Sequence, residues 1–177
     1  MSALIHAWRV AAALALALLV APLIWTWGSG DYYMVVTGES MSPTYAVGDV
    51  LAVQRPAGDE LMRDRQIVVV STTPGNKAEQ YVHRVISHTD ESATLQGDGN
   101  EIADPAPVTQ DLVMGTPRFA LQGVWADAFR FIESWGGRVV IAITMLPAFV
   151  VSLRRPARLQ AFADTSTSRS EQATVGA

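Results

Sequence analysis

The chain has 177 residues, 49% of them hydrophobic, with no cysteine and a formal net charge of −4. That is room for one ordinary domain plus anchors, and it excludes disulfides and thiolate metal sites. Between Asp31 and Glu133 fifteen acidic residues stand against seven basic ones, which argues against a phosphate-binding surface, because nucleic-acid affinity rests on basic groups that displace counterions. No nucleic-acid partner is expected, nor a metal or other cofactor, and a peptide or protein is the expected partner.

Residues 1–30 form the first segment. No charge occurs from Val10 to Gly30, and Val10 to Trp25 is almost all Ala, Leu and Val. Crossing a hydrocarbon core takes roughly 20 such residues at about 1.5 Å each, so this reads as an N-terminal transmembrane anchor. Trp8, Trp25 and Trp27 lie near its ends, where amphipathic rings favour the headgroup region. A cleaved signal peptide ending at Gly28-Ser29-Gly30 is the competing reading, against which the apolar run is longer than the usual h-region of about 7–15 residues.

Residues 31–117 change to short β-rich runs: Tyr32 to Thr37, Val50 to Gln54, Gln66 to Ser71, Tyr81 to His88 and Ala93 to Gln96. Turn formers such as Gly48-Asp49, Pro74-Gly75-Asn76 and Gly97-Asp98-Gly99 bound them. The expected fold is mainly β, a small antiparallel domain with a barrel-like or sandwich-like core. In residues 118–137, Phe119, Leu121, Val124, Trp125, Phe129, Phe131 and Trp135 alternate loosely with charges, which suits core packing or a segment in the membrane interface.

Residues 138–158 carry a second uncharged stretch, Val139 to Leu153, of fifteen residues and so only about 22 Å at the helical rise. A C-terminal transmembrane helix there needs its flanks, with Arg138 snorkelling at one end and Pro147 tolerated inside. Arg154, Arg155 and Arg158 place its far end in the cytoplasm, and Arg9 places the N-terminus there too. Two spans with both ends inside leave the β-domain outside a cell membrane. Residues 159–177 are polar and expected to be a disordered cytoplasmic tail.

Chemistry centres on Ser40, in the run Gly38-Glu39-Ser40-Met41-Ser42-Pro43-Thr44. A serine hydroxyl is a poor nucleophile until a neighbouring base takes its proton. Lys77, the sole lysine, stands beside a turn, where a solvated side chain is the default. His6 precedes the first apolar run, and His88 closes a strand. His83 lies inside Tyr81 to Ile86, where alternation puts it on one face with Tyr81 and Val85. An inward histidine on a strand is usually a satisfied core residue, yet imidazole is the side chain whose reference pKa, about 6.5, lets it accept a proton at neutral pH. A histidine base also needs an orienting carboxylate. Asp98 and Asp104 are candidates six residues apart, although both also suit ordinary turns. Ser42 is a rival nucleophile in principle but precedes Pro43 in a turn.

Together these residues resemble the type I signal peptidases. The resemblance lies in Gly-Glu-Ser-Met-Ser-Pro-Thr with a downstream Gly-Asp-Val, then His-Arg-Val-Ile, then Gly-Asp-Gly-Asn with a second Asp six residues after the first. It is strongest to the branch of archaea, the endoplasmic reticulum and some Gram-positive bacteria, where histidine replaces the lysine base of the purely bacterial branch. The resemblance implies a membrane-bound serine endopeptidase that removes signal peptides from exported preproteins at the outer face of the cytoplasmic membrane. Ser40 is then the nucleophile, His83 the base, Asp104 the orienting carboxylate and Asp98 a supporting group. Gly38 stands where the family often has a serine that helps hold the oxyanion, so backbone N–H groups including that of Ser40 are expected to form the hole. Gly99 stands where relatives often have asparagine. The substrate is expected to lie extended along Tyr32 to Thr37, against Tyr33, Val35, Thr37 and Met41, with small residues one and three positions before the cut. Preprotein signal peptides and the lipid bilayer are the expected partners, and accessory membrane subunits are not identified by the sequence. Two rivals stand beside this reading: a non-catalytic anchored β-domain of a secretion or pilus assembly system, and a Ser-Lys self-cleaving protease using Lys77.

Overall fold

The computed structural model describes residues 2–153; Arg154, Arg155, Arg158 and the tail 159–177 lie outside the described residues. Helix α1, Ser2–Ser29, runs through Pro22 without interruption. Its stretch His6–Ser29, with mean hydropathy 2.1, is the one helix among the described residues long and apolar enough to cross a membrane. Gly30 ends it in the left-handed region at φ +72, the conformation that glycine adopts most cheaply at a helix C-terminus.

Seven strands follow: β1 Tyr32–Val35, β2 Val50–Gln54, β3 Ile67–Ser71, β4 Gln80–His88, β5 Ser92–Gln96, β6 Val108–Thr109 and β7 Val113–Leu121. They form one sheet in the order β1-β2-β7-β3-β4-β5-β6, and every pairing is antiparallel. Register shifts between Ala52 and Val53, between Val69 and Val70, and between Val85 and Ser87 bend it, since bulges sharpen local twist and curvature. The result is an antiparallel half-barrel.

Alternation along the strands divides the apolar residues between two clusters. Met34, Val36, Met41, Leu51, Val53, Val69 and Val82 form one; Leu61, Val68, Val70, Val85, Leu95 and Val113 belong to the other. Val68 to Val70 of β3 are all buried, which explains why that strand reads as a continuous apolar run rather than an alternating one.

Strands β6 and β7 are additions to the runs expected from the sequence, and the boundary expected at 117/118 falls inside β7, which pairs with both β2 and β3. The rest of the 118–137 segment is helix α2, Val124–Glu133. Its Phe129 ring packs on Tyr33 at 4.7 Å, while Val124 and Trp125 are exposed. Helix α3 covers Trp135–Leu153. Residues 17–138 form one compact unit holding the whole sheet; among the described residues, 2–16 and 139–153 belong to a second.

Candidate active site

Five residues beyond β1, Ser40 opens the turn that carries the chain toward β2. Hydrogen bonds from Ser42 N–H to the Glu39 carbonyl and from Tyr45 N–H to the Met41 carbonyl, both 2.9 Å, close that turn. Met41 beneath it is fully buried and packs in the core. A buried methionine next to the serine pins the turn to the sheet, so the Ser40 backbone is set by core packing. The peptide bond between Ser42 and Pro43 is cis.

The Gly97-Asp98-Gly99-Asn100 loop leaves β5 and lies directly against this turn. Gly99 N–H donates to the Ser40 carbonyl at 2.8 Å. A Cβ on Gly97 would stand 2.3 Å from the Ser40 carbonyl oxygen and 3.0 Å from His83 Nε2. A side chain at 97 would therefore collide with backbone on one side and the imidazole on the other. Gly99 is similarly confined, its absent Cβ 3.0 Å from the carbonyls of Glu39 and Ser42. Glycine at 99 lets the loop approach the serine turn closely.

On β4, His83 and Arg84 point to opposite faces of the strand, and one loop meets both. Asp104, held by its N–H to the Leu95 carbonyl at 2.8 Å, brings Oδ2 within 2.8 Å of His83 Nδ1. Asp98 instead accepts two hydrogen bonds from Arg84, at 2.7 and 2.6 Å, and one from the Thr44 hydroxyl. The Arg84 guanidinium, with the Thr44 hydroxyl adding to it and burial opposing, holds the Asp98 carboxyl below the usual carboxylate range. Arg84 is held above its ordinary value, mainly by the hydrogen bond to Asp98. Tyr81 packs its ring edge-on against His83 at 5.0 Å, and burial pushes its phenol up.

Three groups remain uncommitted among the described residues: neither the Ser40 hydroxyl nor the Ser40 N–H makes a hydrogen bond, and His83 Nε2 has no partner. The structure thus joins His83 to Asp104 and sets Ser40 beside them across Gly97, without a hydrogen bond between serine and histidine. Such contacts often tighten only when substrate binds. Lys77 is held elsewhere, its Nζ 4.1 Å from the centre of the Tyr32 ring.

A cavity of about 130 Å³ opens beside Ser40, walled by Met34, Val36 and Met41 on one side and Tyr81 and Val82 on the other. Thr37 lines it, and Met41 forms part of its wall from the core. Tyr33 and Val35 do not line it. They lie on the other face of β1, where Tyr33 meets Phe129 and Val35 is exposed, so Met34 and Val36 take the positions expected of them. Alternation along β1 separates the two pairs, but the strand's own residues do not say which face the serine turn covers. Thr44 and Gly97 had no signal in spacing, since their roles depend on which loop lands on the serine turn.

No curated protein matches the chain. The model of the Peptidase S24-like family matches residues 16–116, more than half of the chain and all of the loops just described, and the chain belongs to that peptidase family.

Proposed function

We propose that the protein is a membrane-anchored serine endopeptidase that removes signal peptides from exported preproteins. The observation that carries the reading is the hydrogen bond between Asp104 and His83 Nδ1, with Nε2 uncommitted and Ser40 across Gly97. A carboxylate accepting from Nδ1–H fixes the tautomer in which Nε2 is the proton acceptor.

In this mechanism Ser40 Oγ attacks the scissile carbonyl carbon while His83 Nε2 takes the hydroxyl proton. The Ser40 N–H donates to the oxyanion. The C–N bond then breaks, His83 gives its proton to the leaving amine, and an acyl ester remains on Ser40. Water attacks that ester, its proton passing to His83 and then back to Ser40 Oγ as the acid leaves. Asp98 is not part of this relay; through Arg84 and Thr44 it braces the turn that holds the nucleophile. The apolar-walled cavity beside Ser40 is where the small side chain expected next to the cut is placed in this reading.

Helix α1 is the membrane anchor in this reading, and α3 is a second span. The acidic, sheet-bearing unit then faces the outside of the cytoplasmic membrane. Purified protein in bilayers is expected to cleave a preprotein, and Ser40→Ala and His83→Ala to abolish cleavage, read by the size of the product. Unchanged processing in either variant sinks the proposal, and no cleavage by the wild-type protein favours a non-catalytic β-domain. Family membership is equally compatible with a Ser-Lys self-cleaving enzyme; loss of activity in Lys77→Ala with His83→Ala still active selects that reading.

A further inference from the structure

The end of α1 is joined to the sheet by a fixed junction. Asp31, buried at 4% exposure, is the residue between Gly30 and β1. Its carboxylate accepts from the Trp25 indole N–H of α1 at 3.2 Å and from Arg118 Nε–H of β7 at 2.9 Å. Arg118 is the residue that the β2–β7 register skips, because Ala52 faces Phe119 and Val53 faces Pro117, and a bulge re-aims the side chain it carries. On the other side, Arg55 Nε–H donates to the Gly30 carbonyl at 3.2 Å. Leu18 and Pro22 of α1 also share an apolar groove with Phe119 and Phe129. Burying a carboxylate costs solvation unless its partners are well placed, and here they come from the helix and the sheet together.

We infer that Asp31 is a positioning residue, locking the anchor helix to the sheet so that this junction sets the height of Ser40 above the bilayer and hence which bond of a membrane-tethered chain is cut. The inference rests on the anchored-peptidase reading above. Strand β1 begins at Tyr32 with no linker after the junction, and its four residues rise only about 13 Å before the chain enters the Ser40 turn. A substrate held in the same bilayer brings its scissile bond to that height for a narrow range of spacer lengths, each extended residue adding about 3.3 Å. A misplacement of about 1 Å can cost 10²-fold in rate.

The test uses the full chain in phospholipid vesicles, a ladder of peptides with an apolar transmembrane segment and spacers of increasing length before one cleavable sequence, and a soluble peptide of that sequence. Wild type is expected to show one narrow spacer optimum, with kcat/KM at least about tenfold above that of a spacer four residues longer. In Asp31→Ala, and in a Gly-Ser insertion after Ser29 that uncouples the helix without touching Asp31, that preference falls below about threefold and cuts scatter over neighbouring bonds. Cleavage of the soluble peptide stays within about twofold. A wild-type spacer profile in both variants overturns the inference, as does an equal loss on tethered and soluble peptides. No cleavage of either substrate by wild type overturns the peptidase reading itself and the inference with it.

Discussion

The two ends of β1 are braced by the same kind of interaction for different purposes. Before the strand, Asp31 binds Arg118 at 2.9 Å; after it, the Ser40 turn is tied through Thr44 to Asp98, which binds Arg84 at 2.6 Å. Both are carboxylate–guanidinium pairs with buried or half-buried acids. What they join separates them. Asp98 ties the Ser40 turn to the strand that carries His83, whereas Asp31 ties helix α1 to a bulge in β7. On the proposed reading, breaking the first is expected to change the reacting geometry for any substrate, and breaking the second only how a tethered substrate is presented.

The largest effect on the chemical end belongs to Asp104→Asn, which is expected to cut kcat/KM by about 10⁴-fold on soluble and tethered peptides alike, because the wrong tautomer leaves Nε2 unable to accept a proton. An effect smaller than that of Asp98→Asn, with both variants folded, reverses the roles of the two carboxylates. Next comes Gly97→Ala. The added methyl meets the Ser40 carbonyl, a backbone atom that cannot swing away, so a loss of about 10²-fold is expected from misplacement, with the far-ultraviolet circular dichroism unchanged.

Smaller still is the loss in Asp98→Asn, which trades a charge-assisted brace for a neutral one and is expected to cost about 1–3 kcal/mol in urea unfolding at neutral pH. Its sign with pH follows from the lowered Asp98 carboxyl. A carboxylate with a lower pKa folded than unfolded adds stability above the unfolded value, about 3.9, and loses it as pH falls through the folded one. The gap between wild type and Asp98→Asn should therefore be full at neutral pH, begin to shrink at about pH 4 as the unfolded carboxyl protonates, and close only once the pH has fallen through the lower folded value. A gap that persists in strong acid would assign the stabilisation to shape rather than charge.

Much of the sheet was legible in the sequence because turn formers and alternation mark β2 to β5 locally. Strand β7 was not, since Gly115 and Pro117 interrupt its pattern. Its central place depends on the register shift that seats Pro117 opposite Val53, where a missing N–H does least harm. The same limit applies to the cavity wall. Tyr33 and Val35 were expected at the substrate, whereas Met34 and Val36, one step of strand parity away, line the cavity beside Ser40, and nothing within β1 itself says which face the serine turn covers.

The sequence by itself determined the inventory: an apolar helix long enough to span, a serine in a turn after a short strand, one histidine inside a strand, and two aspartates six residues apart. Those follow from local composition and spacing. Only the tertiary structure decided the partnerships, because they join residues far apart in the chain. Asp104 meets His83 while Asp98 meets Arg84, since adjacent residues of β4 face opposite sides and one loop reaches both. Arg118 meets Asp31 because a bulge in β7 turns it toward the end of the helix.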